Sequence, residues 1–428
     1  MDASRKVIKN AIWLMGEKII NILGLIFVTS FVAKYIGPVD YGRISLATYI
    51  FSIIQVISIW GSDTLSTKRI SRDSNSGLKM LFSISRLKIL IFFIFGLPIV
   101  FYFYFFSGFS LFVFSMAVMV SSFFYILDVF MIANDAMYKS KYNVIANVIG
   151  LIVTFILRYI LVWLDFNVYL LAIPIVTVNL IPFIIRLFLF KKHHKKLPIA
   201  NSKRARSKYM QYVFYTGFPL VVSSISIAIY LNASRIILGT FESVESLGIY
   251  AAAITLGSAW GFVNNSFVVS LTPKLYSSRD DSMAQDISAL MSQFIIIATI
   301  IYLFFFYFLG RFLIDELYGK AYNGAFPVAM ILVFYTCISG LGIPASIYTV
   351  YKGGYKFLSI KTMILSFSSI AISYFFIKYL GINGAAYSTI VIELLSLTLL
   401  NYFFDKGVIF KIHMKVFDFK IYKKVFGS

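Results

Sequence analysis

The chain contains about twelve apolar stretches of roughly 20 residues, joined by short polar segments. A helix of that length crosses the hydrocarbon core of a bilayer, and a lipid-exposed segment must pair its own backbone groups, as a helix does. Apolar residues make up 60% of the chain and charged residues only 13%, about half the share found in soluble domains. The sequence therefore predicts an all-α integral membrane protein. The predicted spans are residues 11–33, 42–61, 88–106, 110–133, 142–164, 170–190, 210–238, 248–271, 288–310, 325–347, 362–380 and 384–404.

Lysine and arginine are concentrated on one side of these spans. With a cytoplasmic N-terminus, the predicted cytoplasmic loops and tails hold 31 of the 39 basic residues, and the outer loops hold five. This asymmetry predicts that both termini are cytoplasmic. The net charge of +21 is therefore explained by topology, and nucleic-acid binding is not expected. The basic run 191–196 is predicted to attract anionic lipid headgroups.

The chain also repeats itself. Residues 41–47 (YGRISLA) are similar to residues 247–253 (LGIYAAA), 206 positions later. Both segments open the second helix of a predicted six-helix half, and halves with an even number of helices start on the same side of the membrane. The sequence thus predicts two parallel six-helix lobes. Their predicted bounds are 1–190 for the N-terminal lobe, 191–209 for a basic linker, 210–404 for the C-terminal lobe and 405–428 for a basic tail.

Three lone cations, Lys18, Arg158 and Arg235, lie within predicted spans. A charge at the centre of a bilayer costs about 2.5–3.5 kcal/mol on insertion scales, so these side chains are expected to face water or an anion. Asn147 shares a helix face with Arg158, and Asn232 precedes Arg235 by one turn. These five residues are the predicted substrate-binding residues of a cationic lumen. Close helix packing is the competing explanation for the small and polar residues on the same faces.

Three acids are candidates for ion coupling: Glu393 near the middle of the twelfth span, and Asp63 and Asp128 near cytoplasmic ends. Burial favours the protonated form of a carboxylate, which would let Glu393 carry a proton. The alternative is that Glu393 only neutralises a lumen cation such as Lys18. The single cysteine, Cys337, excludes a disulfide within the chain. No catalytic group, metal site or nucleotide-binding glycine loop is predicted.

Several short motifs, in this order, resemble the polysaccharide flippases of the O-antigen (Wzx) type, whose superfamily includes the multidrug MATE pumps and the lipid II flippase. The motifs are Gly37-Pro38-x-x-Tyr41-Gly42, Lys68-Arg69-Ile70-Ser71, Ile236-Ile237-Leu238-Gly239, Leu247-Gly248-Ile249-Tyr250, Pro273-Lys274-Leu275, Leu317-Tyr318-Gly319 and Gly381-Ile382-Asn383-Gly384-Ala385-Ala386. The resemblance covers essentially the whole chain. One departure is Ser234, at a position where many relatives carry an aspartate.

The resemblance implies a MATE-like, two-lobed fold in the bacterial cytoplasmic membrane. The implied activity moves an undecaprenyl-pyrophosphate-linked oligosaccharide from the inner to the outer leaflet by alternating access, without a cofactor and coupled to a proton or sodium gradient. The implied partners include a polysaccharide polymerase and chain-length proteins.

Two other functions are compatible with twelve spans. A MATE-type multidrug or cation antiporter would share the fold, but a site for cationic drugs should be acidic, whereas three of the four charges placed deepest here are basic. A membrane polysaccharide polymerase or ligase would normally carry a sizeable external loop, and the longest predicted outer loop runs only over residues 311–324.

Overall fold

The computed structural model describes residues 2–193, 202–418 and 420–426, and the side chains of residues before Gly24 lie outside the description. The described residues are helical and contain no strand. The chain forms two compact units, residues 1–228 (unit 1) and 229–428 (unit 2). Residues 194–201 of the predicted linker lie outside the described residues, and its last residues, 203–209, begin a long helix.

Unit 1 starts with a helix that the sequence predicts as two. Gly37 interrupts α1 with φ 76° and ψ 171°, a conformation that an L side chain rarely adopts, and Pro38 follows without an N–H to donate. The helix therefore covers two predicted spans, 11–33 and 42–61. The helices of unit 1 are α1 (Asp2–Ile59), α2 (Ser62–Arg72), α3 (Ser74–Phe106), α4 (Phe109–Leu127), α5 (Val129–Ala136), α6 (Ser140–Trp163), α7 (Ala172–His193) and the first part of α8 (Lys203–Ile237).

Unit 2 contains a similar interruption. Gly381, with φ 54° and ψ −133°, breaks α13 between the predicted spans 362–380 and 384–404. The predicted span 248–271 is also broken, because its two helices meet at an angle of 46°. The helices of unit 2 are the end of α8, α9 (Val244–Gly257), α10 (Gly261–Ser277), α11 (Asp281–Leu317), α12 (Ala325–Tyr351), α13 (Tyr355–Leu395), α14 (Val408–Lys415) and α15 (Ile421–Phe426).

The described part of the chain contains nine helices that are long and apolar enough to cross a membrane, or ten when α9 and α10 are counted as one bent span. Two of these helices, α1 and α13, each cover two predicted spans. The all-helical membrane class is confirmed, and the count of twelve stays a prediction. Large apolar side chains such as Phe105 and Phe304 are 70% and 69% exposed, as expected where lipid replaces water.

Close helix contacts position the polar groups of each unit. A Cβ on Gly150 of α6 would lie 2.6 Å from Pro182 Cγ of α7, so only glycine lets these helices approach at that point. Asn147 lies one turn before Gly150 and Arg186 one turn after Pro182. In unit 2, a Cβ on Gly257 would lie 2.9 Å from the carbonyl oxygen of Ala329. Small residues therefore bring together the helices that carry the buried polar side chains.

The C-terminal segment, α14 and α15, packs against α11 of the same unit. Lys415 Nζ lies 2.6 Å from Asp286 Oδ1, and Gln293 donates to the carbonyl oxygens of Val416 (2.8 Å) and Asp418 (2.9 Å). Burial lowers the pKa of His413, so this imidazole is held neutral. Much of the tail predicted at residues 405–428 is therefore folded onto unit 2.

Candidate functional site

A buried cluster of polar side chains lies in unit 1. Asp128 caps α5, where its carboxylate accepts the N–H of Met131 at 3.2 Å. Arg186 of α7 donates to the carboxylate of Asp128 and to the side-chain oxygen of Asn147 on α6. The side chains of Arg186 and Asp128 are only 4% and 6% exposed. The charge of Asp128 is thus neutralised inside the unit by Arg186, a cation near the end of the predicted span 170–190.

A polar cavity of about 220 Å³ lies beside this cluster. It is lined by residues of α4, α5, α6 and α7 and of the turn between α4 and α5, and its polar lining residues are Tyr125, Asp128, Asn147, Asn179 and Arg186. Asn179 donates to the Ser121 hydroxyl at 2.9 Å. The cavity therefore brings two predicted site residues, Asp128 and Asn147, to one place.

The third predicted acid, Asp63, forms a separate ion pair with Lys88 of α3 at 2.6 Å. The side chain of Lys88 is 2% exposed and that of Asp63 is 36% exposed. Asp63 also accepts from the Ser62 hydroxyl at 3.0 Å. Two of the three candidate ion-coupling acids are therefore ion-paired in this conformation.

Arg158 has a different environment from Arg186. It is half-buried in α6, where it donates to the Thr29 hydroxyl at 3.4 Å and interacts electrostatically with Tyr41. No described carboxylate forms an ion pair with it. Among the described residues Arg158 therefore has hydroxyl neighbours but no carboxylate in an ion pair, and its role in binding a substrate stays a prediction. The other predicted cation of this region, Lys18, lies outside the residues whose side chains are described.

Unit 2 contains a second polar cluster, centred on Glu393 of α13. This residue is 4% exposed and accepts hydrogen bonds from Tyr230 of α8 and from Ser339 of α12. Arg235, Tyr250 and Tyr335 line the same small pocket, which has about 10 Å³ of free volume. The structure therefore buries Glu393 inside its unit, where Arg235 lines the same pocket.

Asn232 lies near the same pocket. It is 9% exposed, and its side-chain oxygen lies 3.4 Å from Arg235 Nη1. The two residues predicted to act together on the seventh span are thus neighbours in space. Their role in binding a substrate stays a prediction.

Lys361 was missed as a site residue. Its side chain is buried at the start of α13, 6% exposed, and Nζ lies 2.8 Å from the side-chain oxygen of Asn401. It also interacts electrostatically with Glu393. A cation at or next to the end of a predicted span can lie in a loop or be buried, and the sequence alone does not distinguish the two cases. This applies to Lys88, Arg186 and Lys361.

The helical arrangement is shared with solved membrane transporters. An inward-facing multidrug resistance MATE family transporter of the MOP superfamily is 12% identical and aligns with a TM-score of 0.71, over 93% of this chain and 96% of its own. The lipid II flippase MurJ, in an inward closed conformation, is 17% identical and aligns with a TM-score of 0.68, over 98% of this chain and 94% of its own. The fold is therefore that of the MOP-superfamily transporters, which confirms the predicted MATE-like class.

The sequence model of the family described as polysaccharide biosynthesis protein matches residues 7–278. This chain therefore belongs to the polysaccharide biosynthesis protein family, and the resemblance stated from its motifs is confirmed at that level. A comparison with curated proteins gave no match.

Proposed function

We propose that this protein is a flippase that moves undecaprenyl-pyrophosphate-linked oligosaccharides from the cytoplasmic to the outer leaflet of the bacterial cytoplasmic membrane by alternating access. The family supports a role in polysaccharide biosynthesis. The fold supports transport rather than catalysis, because its neighbours are a lipid II flippase and a multidrug transporter. A lipid-linked oligosaccharide is the substrate that fits both the family and the fold.

The observation that carries the proposal is Arg158. An arginine within an apolar membrane helix, with hydroxyl neighbours and no described carboxylate in an ion pair, attracts an anion. The planar guanidinium can donate two parallel hydrogen bonds to a phosphate, and at 4 Å one such contact contributes about 4 kcal/mol at an effective dielectric near 20. Lys18, Arg158, Arg235, Asn147 and Asn232 stay the residues proposed to bind the substrate.

Reconstitution tests this proposal directly. Purified protein in liposomes is given an undecaprenyl-pyrophosphate-linked oligosaccharide that carries a radiolabel on its sugar, and sugar exposed at the outer surface is removed by an added glycosidase. We expect the protein to make the inner pool accessible, and the Arg158→Ala variant to lose this activity. Gradient-driven efflux of a cationic dye without any movement of the lipid-linked sugar would instead support the multidrug antiporter.

We also propose that both termini are cytoplasmic, because the basic residues are concentrated on that side of the predicted spans. Reporter fusions after Lys196 and after Lys424 should report the cytoplasm, and fusions near Glu242 and Tyr322 should report the outside. The matched pair on each side guards against a local effect of one fusion. Opposite locations for Lys196 and Lys424 would contradict a C-terminal lobe with an even number of spans.

A further inference from the structure

We infer that the cavity of unit 1 binds a phosphate-type oxyanion and that Arg186 holds it. Free pyrophosphate and the phosphate of a polyprenyl lipid share this chemistry, which is a tetrahedral group with several negative oxygens. The inference deepens the proposed function and rests on it for the choice of a lipid phosphate as the natural source. The residues that carry it are Arg186, Asn147, Asn179 and Tyr125, all of which line the cavity.

Arg186 donates two hydrogen bonds to neighbouring side chains. One terminal nitrogen of its guanidinium donates to Asp128 and the other to Asn147. The N–H on Nε is also buried and has no hydrogen-bond partner among the described residues. A buried donor without an acceptor costs about 1–3 kcal/mol, so this edge of the guanidinium favours an additional acceptor. Nε and its neighbouring terminal nitrogen form the fork that binds two oxygens of a phosphate at once.

Arg186 is also one of the residues that line the cavity of unit 1. The cavity of about 220 Å³ would hold about seven waters at roughly 30 Å³ each, or a small oxyanion with part of its hydration. Asn147 now presents its oxygen to Arg186. Rotation of this amide would present its NH₂ group instead, and the Tyr125 hydroxyl at the cavity wall is a further donor.

The charged groups that line the cavity do not suit a metal cation. A metal cation would lie against the guanidinium of Arg186, and the one carboxylate that lines the cavity, Asp128, is already neutralised by it. The described residues contain no group of three histidine, cysteine, aspartate or glutamate side chains suited to a metal. The lining thus offers N–H and O–H donors but no unpaired carboxylate, which suits a ligand rich in acceptor oxygens better than a metal ion.

The position of Arg186 also suits a lipid phosphate. The residue lies seven positions before the end of α7 at His193, which is about 10 Å along the helix axis. In the proposed orientation this end of α7 is cytoplasmic. A phosphate from the cytoplasmic leaflet would therefore reach the cavity by moving only a short distance into the membrane.

Substitution of Asp128 is expected to change the oxyanion affinity in a direction that a purely structural ion pair would not predict. Its carboxylate competes for Arg186 and repels a bound oxyanion, yet it is also held by the N–H of Met131. Asp128→Asn should therefore keep the acceptor oxygen and the helix cap but bind the oxyanion more tightly. Arg186→Gln should bind it more weakly.

The test measures binding to the purified full-length protein by isothermal titration calorimetry. The probes are inorganic pyrophosphate, undecaprenyl phosphate and undecaprenol, which lacks the phosphate. We expect binding of undecaprenyl phosphate but not undecaprenol, weakening of at least about tenfold in Arg186→Gln, and tightening of about tenfold in Asp128→Asn. Pyrophosphate binding that shows the same two effects would identify a site for free oxyanions as well.

Lys88→Gln is the matched control, because it removes a buried, ion-paired cation of the same unit that does not line the cavity. It should leave the affinity unchanged. Equal affinity in Arg186→Gln and wild type, or weaker binding in Asp128→Asn, would overturn the inference. Should Arg186→Gln fail to fold, Arg186→Lys and Asp128→Asn still give the opposite changes.

The outcomes also separate this site from the proposed function. Absence of oxyanion binding, with transport of the lipid-linked sugar intact in Arg186→Lys, would reject the site and keep the flippase. Arg186-dependent binding in a protein that does not move the lipid-linked sugar would keep the site and reject the flippase.

Discussion

Arg158→Ala and Arg235→Ala are each expected to abolish the export of surface polysaccharide while the protein remains inserted at normal levels. Each arginine lies within an apolar helix, Arg158 beside Thr29 and Arg235 beside Asn232. Loss of one hydrogen bond to a charged group costs about 1.5–3 kcal/mol, which corresponds to a rate reduced roughly 10- to 150-fold. Lysine at either position should restore export only partly, since its ammonium lacks the planar fork of a guanidinium.

The measurement is the amount of surface polysaccharide in cells that express matched levels of each variant. Arg43→Ala and Arg311→Ala serve as controls, because these arginines lie at the predicted outer ends of spans 42–61 and 288–310. Arg43 pairs with Asp40 at 2.6 Å, and Arg311 lies over the Phe326 ring. Normal polysaccharide in both Arg158→Ala and Arg235→Ala would contradict their assignment to substrate binding.

Glu393→Gln is expected to keep substrate binding but to make reconstituted transport insensitive to an imposed pH or sodium gradient. The carboxylate is buried and hydrogen-bonded to Tyr230 and Ser339, and glutamine preserves the shape and one acceptor while removing the titratable group. The measurement is the transport rate in proteoliposomes with and without the gradient. Gradient-dependent transport at the wild-type rate would place ion coupling elsewhere.

A purely neutralising role for Glu393 gives a different result. One described cation in electrostatic contact with it is Lys361, which is therefore a partner to be tested in addition to Lys18. Under this alternative, Glu393→Gln would be impaired and the double variant Glu393→Gln with Lys361→Met would be rescued. Lys361→Met alone is the matched control, because it removes the cation and leaves the carboxylate.

The sequence predicted the membrane class well, because long uninterrupted apolar runs have few alternatives to a spanning helix. It placed chain breaks at Gly37 and Gly381, and the structure shows that each break is a single non-helical residue between two helical pieces. Hydropathy does not measure how sharply a helix bends. The 46° bend between α9 and α10 was missed for the same reason.

The candidate site was predicted only in part. Asp128 and Asn147 were singled out separately, one as an acid near a span end and the other as a polar residue on a helix face. Arg186 donates hydrogen bonds to both of them, but it was not singled out because it lies near the end of a predicted span. Only the packing of α6 against α7, fixed by Gly150 and Pro182, brings the three side chains together.

Because the C-terminal segment packs on α11, some contacts of unit 2 can form only after that segment has been made. Asp286 is nearly buried and its ion-pair partner, Lys415, is made 129 residues later. Gln293 likewise donates to the carbonyl oxygens of Val416 and Asp418, so it has these two partners only after those residues have been made. Because a chain emerges from its N-terminus, these groups do not have these partners until residues 415–418 have been made. A nascent chain stopped before Lys415 would contain every predicted span and still lack the contacts that complete unit 2.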